Sequence, residues 1–96
     1  MLRHVVFFKF KAEASEAEIA DLTRQLQQLP GRITEIRSFE VGRDLVRSER
    51  SFDLALISTF DDLAALQRYQ VHPEHLPVVA TVKQLCAGVA AVDFEI

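Results

Sequence analysis

The segment Y-Q-V-H-P-E-H, residues 69–75, holds the most unusual cluster of reactive side chains in this chain. It contains the only tyrosine, Tyr69, and two of the three histidines, His72 and His75. Histidine titrates near neutral pH and is a natural general acid or base. A neighbouring tyrosine hydroxyl can polarise a carbonyl group, and Pro73 fixes the backbone before His75. The segment is therefore compatible with acid–base chemistry carried out by a tyrosine and a histidine.

Two other interpretations of this segment stand beside the catalytic one. In a structural interpretation, which spacing alone favours, Tyr69 packs its ring in the core and His72 caps a helix or a turn. In a metal interpretation, the three histidines would bind zinc. The spacing disfavours zinc, because a proline interrupts H-x-x-H and only Glu74 offers a nearby carboxylate to orient a ligand. The sequence thus predicts no metal and no cofactor.

The third histidine, His4, lies on a predicted strand from Leu2 to Phe10. Strand alternation places His4 on the same face as Val6 and Phe8, while the opposite face is also apolar. Such a histidine is usually a satisfied core residue. It becomes a functional candidate only if His72 or His75 comes close in space.

The remaining elements follow from periodicity and from helix-capping and chain-breaking residues. The strands and helices predicted after the first strand are 16–29 (helix, capped by Ser15), 33–41 (strand), 52–60 (strand), 63–70 (helix, capped by Asp61 or Asp62), 76–86 (helix) and 89–96 (strand). The order β-α-β-β-α-β predicts an α+β, ferredoxin-like protomer with a four-stranded antiparallel sheet. Its strands are apolar on both faces, which predicts that a second copy covers the free face to form a dimeric α/β barrel.

Length and composition narrow the classes of function. A chain of 96 residues is expected to form one domain, residues 1–96. Its net charge of −3 and the absence of a basic face argue against nucleic acid as a partner. The chain has no apolar run long enough to cross a membrane. A single cysteine, Cys86, fits a reducing compartment and a cytoplasmic location.

Four stretches of this sequence resemble the stress-responsive dimeric α/β-barrel domain family. They are R-H-V-V-F-F-K-F-K near the start, F-E-V-G, S-F-D-L-A-L-I-S-T-F and Y-Q-V-H-P-E-H. The resemblance covers nearly the whole chain, and the early histidine and Y-x-x-H-P-x-H are its most specific parts. It implies a ferredoxin-like protomer and a homodimer with the two sheets facing each other.

One plant branch of that family, olivetolic acid cyclase, closes a linear polyketide without a cofactor. The resemblance places its catalytic tyrosine and histidine on Tyr69 and His75, and two further pocket histidines on His4 and His72. It implies a substrate pocket between sheet and helices. The apolar candidates for its lining are Val6, Phe8, Leu54 and Leu56. A pocket histidine of the cyclase falls on Leu54 here, so a different substrate is expected.

The sequence leaves three functions open. The first is a cofactor-free enzyme, either a cyclase or lyase or a monooxygenase-like oxygenase, that acts on a small apolar or aromatic carbonyl compound. The second is a binding module that holds such a ligand in the same pocket. The alternative to both is a non-catalytic structural dimer of the stress response, in which the histidines stabilise the fold.

Overall fold

Three helices cover one face of a four-stranded sheet in a computed structural model that describes all residues, 1–96. The elements are β1 (Leu2–Phe10), α1 (Glu16–Gln28), β2 (Ser38–Arg43), β3 (Leu54–Phe60), α2 (Leu63–Gln70), α3 (Leu76–Leu85) and β4 (Cys86–Glu95). With α2 and α3 counted together as the second helical segment, this is the predicted β-α-β-β-α-β order, so the ferredoxin-like protomer is confirmed. None of the helices has the length and apolarity needed to cross a membrane.

Two of the three helices, α1 and α2, begin at residues whose side chains cap them. The Ser15 hydroxyl accepts a hydrogen bond from the Glu18 amide at 3.1 Å, and the Glu18 carboxylate accepts one from the Ser15 amide at 2.9 Å. This capping box satisfies two amides that would otherwise lack partners at the start of α1. The carboxylate of Asp62 does the same for the Ala65 amide of α2, at 2.8 Å.

The sheet is antiparallel, with the strand order β2-β3-β1-β4. The first strand therefore lies in the interior of the sheet, between β3 and β4. The helix-facing side chains of β1 include His4, Val6 and Phe8, all of them buried. They pack with the apolar stripe of α1, of which Leu22 is fully buried.

The other face of the sheet has no helix over it, and we call it the open face. Residues paired across antiparallel strands share a face, so the register defines its apolar members. These are Val5, Phe7, Ala55, Ile57, Ala90, Val92 and Phe94. Phe7 and Phe94 remain 40% and 42% exposed. An apolar surface of this extent is typical of a surface that binds another protein.

The predicted bounds of β2 and β3 were wrong at their starts. β2 begins at Ser38 instead of Ile33, because the backbone before it forms successive turns in which the Ile36 amide bonds the Ile33 carbonyl at 3.3 Å. Ile33 and Ile36 are buried from those turns and need no strand to reach the core. β3 begins at Leu54 instead of Phe52, which lies beside Phe7 with the ring centroids 5.9 Å apart.

The junction between α3 and β4 also differs from the prediction. β4 starts at Cys86, directly after the helix, because Cys86 pairs with Phe10 across a register shift in β1. Gly88 therefore lies inside the strand, where a Cβ would come within 3.8 Å of the Lys9 side chain. The most buried valine of α3 is Val78.

Candidate functional site

Tyr69 lies on the last turn of α2 and points into the core with only 1% of its surface exposed. Ala65 and Leu66 share its buried helix face, and its ring centroid lies 5.0 Å from that of Phe60. The Tyr69 hydroxyl is buried without a hydrogen-bond partner, and burial raises its pKa. An unpaired buried hydroxyl destabilises a fold. This one stays protonated and can donate to an oxygen atom brought in by a ligand.

His75 immediately precedes α3, and its ring packs against the ring of Tyr69. The two centroids are 4.2 Å apart, with 33° between the ring planes. The Gln70 carbonyl can only accept hydrogen bonds, so at 3.2 Å it fixes the proton of neutral His75 on Nδ1. Burial lowers the pKa of this imidazole. At neutral pH, Nε2 is therefore an unprotonated nitrogen that can accept a proton.

His4 joins this cluster from the sheet. Its ring centroid lies 6.3 Å from that of Tyr69, which in turn packs against His75. The Nδ1 of His4 donates a hydrogen bond to the carboxylate of Asp93 on β4. The structure thus places both His4 and His75 next to Tyr69 in one cluster. A functional role for His4 remains a prediction.

Two polar residues of this cluster were missed by the sequence reasoning. Asp93 orients His4, and Ser58 is the cross-strand neighbour of His4 on β3. Ser58 is completely buried and its hydroxyl has no partner. The available signal was a polar residue inside an otherwise apolar strand, as in L-A-L-I-S-T-F and V-A-A-V-D-F. Only the register of the sheet reveals that both residues flank His4.

The other predicted site residues occupy two different environments. His72 is half-buried, and its Nδ1 accepts a hydrogen bond from the Glu74 amide at 3.1 Å within the turn before α3. The four apolar candidates belong to the packed hydrophobic core on the helix-facing side of the sheet: Val6, Phe8, Leu54 and Leu56. Their contact with a ligand remains a prediction.

The cluster reaches the surface beside the edge strand β4. Val89 and Ala91 lie on the same side of β4 as Asp93, and both are exposed. A separate concavity of about 540 Å³ lies on the open face and includes Phe7, Phe52 and Ile57 in its wall. The Tyr69 cluster and this concavity are thus on opposite faces of the sheet.

Removing the Ser58 hydroxyl should not destabilise the protein. Ser58→Ala deletes a buried group with no partner, so we expect the free energy of unfolding to stay constant or to rise by up to about 1 kcal/mol. Thr59→Val is the matched control, since the Thr59 hydroxyl bonds that of Ser38. Losing this hydrogen bond in Thr59→Val should lower the free energy of unfolding by about 1 kcal/mol. Urea denaturation of both variants measures the difference, and a loss of stability in Ser58→Ala equal to the control would contradict an unpaired hydroxyl.

His75 should make stability depend on pH in a defined window. Its folded-state pKa is lowered from the ordinary value of 6.5, so the unfolded chain takes up the proton more readily. The contribution of neutral His75 to the free energy of unfolding is therefore fully present above about pH 6.5 and is lost as the pH falls through the folded-state pKa. The stability advantage of the wild type over His75→Gln should shrink from pH 7.5 to pH 5 in urea denaturation. An NMR titration that gave His75 a pKa of 6.5 or higher would refute this.

Comparison with known proteins places the chain in a known group. A family model described as the stress responsive A/B barrel domain matches residues 2–96. An uncharacterized protein of Streptomyces coelicolor is 31% identical over 97 residues, and the alignment covers 99% of each chain. The resemblance inferred from the four sequence stretches is confirmed.

Solved structures agree with the fold. A dimeric ferredoxin-like protein of unknown function from Thermobifida fusca superposes with a TM-score of 0.90 at 25% identity, covering 99% of this chain and 90% of that one. A hydroxynitrile lyase from Passiflora edulis superposes with a TM-score of 0.89 at 22% identity, covering 99% of this chain and 92% of that one. At that identity the second likeness shows the fold alone.

Proposed function

We propose, from the premise that this chain belongs to the stress responsive A/B barrel domain family, that it works as a homodimer. Each copy binds a small apolar or aromatic carbonyl compound and moves a proton on it without a cofactor. The observation that carries this proposal is the buried, unpaired Tyr69 hydroxyl packed beside a His75 that burial keeps neutral. A hydrogen-bond donor and a proton acceptor side by side are the two groups that enolisation of a carbonyl compound needs.

The roles follow from the protonation states. Tyr69 donates its hydroxyl hydrogen to the carbonyl oxygen and stabilises the negative charge that develops there. His75 takes a proton from the adjacent carbon through Nε2, because Nδ1 is bound to the Gln70 carbonyl. His4, oriented by Asp93, offers its own Nε2 to a second polar group of the ligand. The charges that develop on the carbonyl oxygen and on His75 lie in a site that is mostly shielded from water. This shielding strengthens each of these interactions.

The apolar part of the ligand would lie along β4. Val89 and Ala91 are exposed beside Asp93 and give this part of the ligand an apolar surface. The four predicted lining residues form the floor deeper under the helices, and His72 lies in the turn on the other side of His75. The Passiflora edulis protein of the same fold is a hydroxynitrile lyase, so this fold is compatible with an enzyme.

Exchange of carbon-bound hydrogen for deuterium tests the proton transfer without knowledge of the natural substrate. Acetophenone in D₂O loses its methyl proton signal when a base removes those protons. Wild-type protein should accelerate this loss, His75→Ala should abolish the acceleration, and Tyr69→Phe should reduce it by about a hundredfold. Lys83→Ala, at an exposed position of α3, is the matched control and should exchange like the wild type.

Binding is tested alongside by amide chemical shifts and native mass spectrometry. Benzaldehyde, acetophenone and 2-nonanone should each shift the amides of Tyr69 and His75, and protein purified gently should carry a small molecule. If no probe shifts these amides and no exchange is accelerated, the proposal fails.

A structural role is the second candidate, because the Tyr69 ring itself is a core residue. It packs between Phe60 and His75 and is nearly inaccessible to solvent. In that case the packed rings of Phe60, Tyr69 and His75 stabilise the protomer. His75→Ala then lowers the free energy of unfolding without any effect on a ligand. The exchange experiment separates the two candidates, because a structural role predicts no wild-type acceleration.

A further inference from the structure

The open face carries few charged side chains among its apolar residues. In the strand register, Arg3 pairs with Thr59 and Phe94, and Glu40 pairs with Ile57. These pairings place both charges on the open face, in adjacent rows. A charge inside an apolar contact surface is unfavourable unless it meets an opposite charge.

Neither charge has a partner within the chain. Six of the eight arginines form an ion pair with a carboxylate, and Arg3 is not among them. Its Nε is already buried without an acceptor. Glu40 forms no ion pair or hydrogen bond either, although it is exposed at the middle of β2. Arg3 and Glu40 are therefore opposite charges that the protomer leaves unsatisfied on one surface.

The two side chains do not meet within one sheet, because both stand roughly perpendicular to it and run side by side. β3 lies between their strands and they differ by one row, which puts their α-carbons about 12 Å apart at standard strand spacings. Facing sheets pack about 10 Å apart. Suppose that a two-fold axis lies midway between two such sheets and runs parallel to the strands. β2 of one copy then lies opposite the β1 side of the other copy. The offset of one row remains, so the α-carbons of Arg3 and the partner's Glu40 are again about 12 Å apart, but the two long side chains now point towards each other and can span this distance.

We propose that Arg3 of each copy pairs with Glu40 of the other copy across the two open faces, and that these two symmetric ion pairs fix the register of the dimer. The inference rests on the proposed homodimer and adds to it the residues that decide how the copies recognise each other. The charges favour a second copy of this chain as the partner of the open face. In a two-fold symmetric dimer, both Arg3 and both Glu40 side chains each form one ion pair, and no charge stays unpaired.

The other basic residues near this face fit the role less well. The Lys9 ammonium already donates to the Ser51 carbonyl at 2.9 Å and is exposed at the end of the sheet. Arg50 is exposed on the loop at the rim of the open-face concavity and is not held by a strand. Neither contains a buried, unsatisfied donor comparable to the Arg3 Nε. Lys9→Glu is therefore the natural control for a charge reversal at Arg3.

Charge reversal tests the pair, with the dimer dissociation constant measured by analytical ultracentrifugation. Arg3→Glu and Glu40→Arg should each weaken the homodimer by about a hundredfold or more, because each places two like charges opposite one another. The double variant Arg3→Glu/Glu40→Arg should return to within about threefold of the wild type. An equimolar mixture of the two single variants should form a heterodimer, since both of its contacts again join opposite charges. Lys9→Glu should leave the dissociation constant unchanged.

The possible results separate the homodimer itself from the Arg3–Glu40 ion pair. A wild-type protein that is monomeric at micromolar concentration overturns the homodimer itself. A wild-type dimer whose single variants dimerise equally well overturns only the ion pair. The pair is also overturned if the mixture stays monomeric, or if Lys9→Glu or Arg50→Glu restores Glu40→Arg as well as Arg3→Glu does. Formation of the heterodimer also shows that both single variants are folded.

Discussion

Tyr69→Ala is expected to lower the free energy of unfolding by about 4 kcal/mol, whereas Tyr69→Phe should leave it unchanged or raise it by up to about 1 kcal/mol. The alanine variant loses a ring that is 1% exposed and packed between His75 and Phe60, at 4.2 and 5.0 Å. The cavity left behind adds to the lost burial. The phenylalanine variant keeps the ring and removes only a hydroxyl that has no partner.

Urea denaturation at one fixed protein concentration measures both variants, since dissociation of a dimer would otherwise contribute to the result. The pair of variants separates packing from hydrogen bonding at a single position. If Tyr69→Phe cost more than about 1 kcal/mol, the hydroxyl would have a partner in the folded protein. The Tyr69 hydroxyl would then already be engaged and would not be free to donate to a ligand oxygen.

Phe7→Asp is expected to raise the dimer dissociation constant by at least about a hundredfold, so that the protein is a monomer at micromolar concentration. Phe7 lies on the open face, 40% exposed beside Phe52. Covering this face with a second sheet would bury the new carboxylate without a partner. The monomer should stay folded, because the side chain points away from the core.

Val71→Asp is the matched control for this experiment. Val71 is 71% exposed at the end of α2, away from the open face, and receives the same change from an apolar residue to a charge. Light scattering after size-exclusion chromatography should show a dimer for the control and a monomer for Phe7→Asp. Dimers in both variants would mean that the copies do not meet through the open face.

The helical part of the fold could be predicted well because its signals are local. The Ser15–Glu18 capping box and the buried stripe of α1 lie within one stretch of sequence, and both are found in the structure. The start of β2 could not be found in this way. Ile33 and Ile36 resemble strand residues because they are apolar, but their burial comes from turns packed on the core, which only the tertiary structure determines.

The candidate site was predictable only in part for the same reason. Tyr69 and His75 lie within seven residues of each other, so their proximity could be expected from the segment itself. Asp93 is 89 residues from His4 along the chain, and no local pattern connects them. Ser58 was hidden in an apolar strand until the pairing of β1 with β3 placed it beside His4.

The position of β1 inside the sheet affects when the protein can fold during its synthesis on the ribosome. β1 pairs with β3 and with β4, and β4 is the last of these four strands in chain order. Until residue 93 has left the exit tunnel, His4 has no carboxylate to bind and one edge of β1 is unpaired. Helices and the β2–β3 pair can form earlier, since their contacts are local. The histidine cluster is therefore completed only after β4 has been synthesised, and until then a nascent chain exposes an unpaired strand edge that can aggregate.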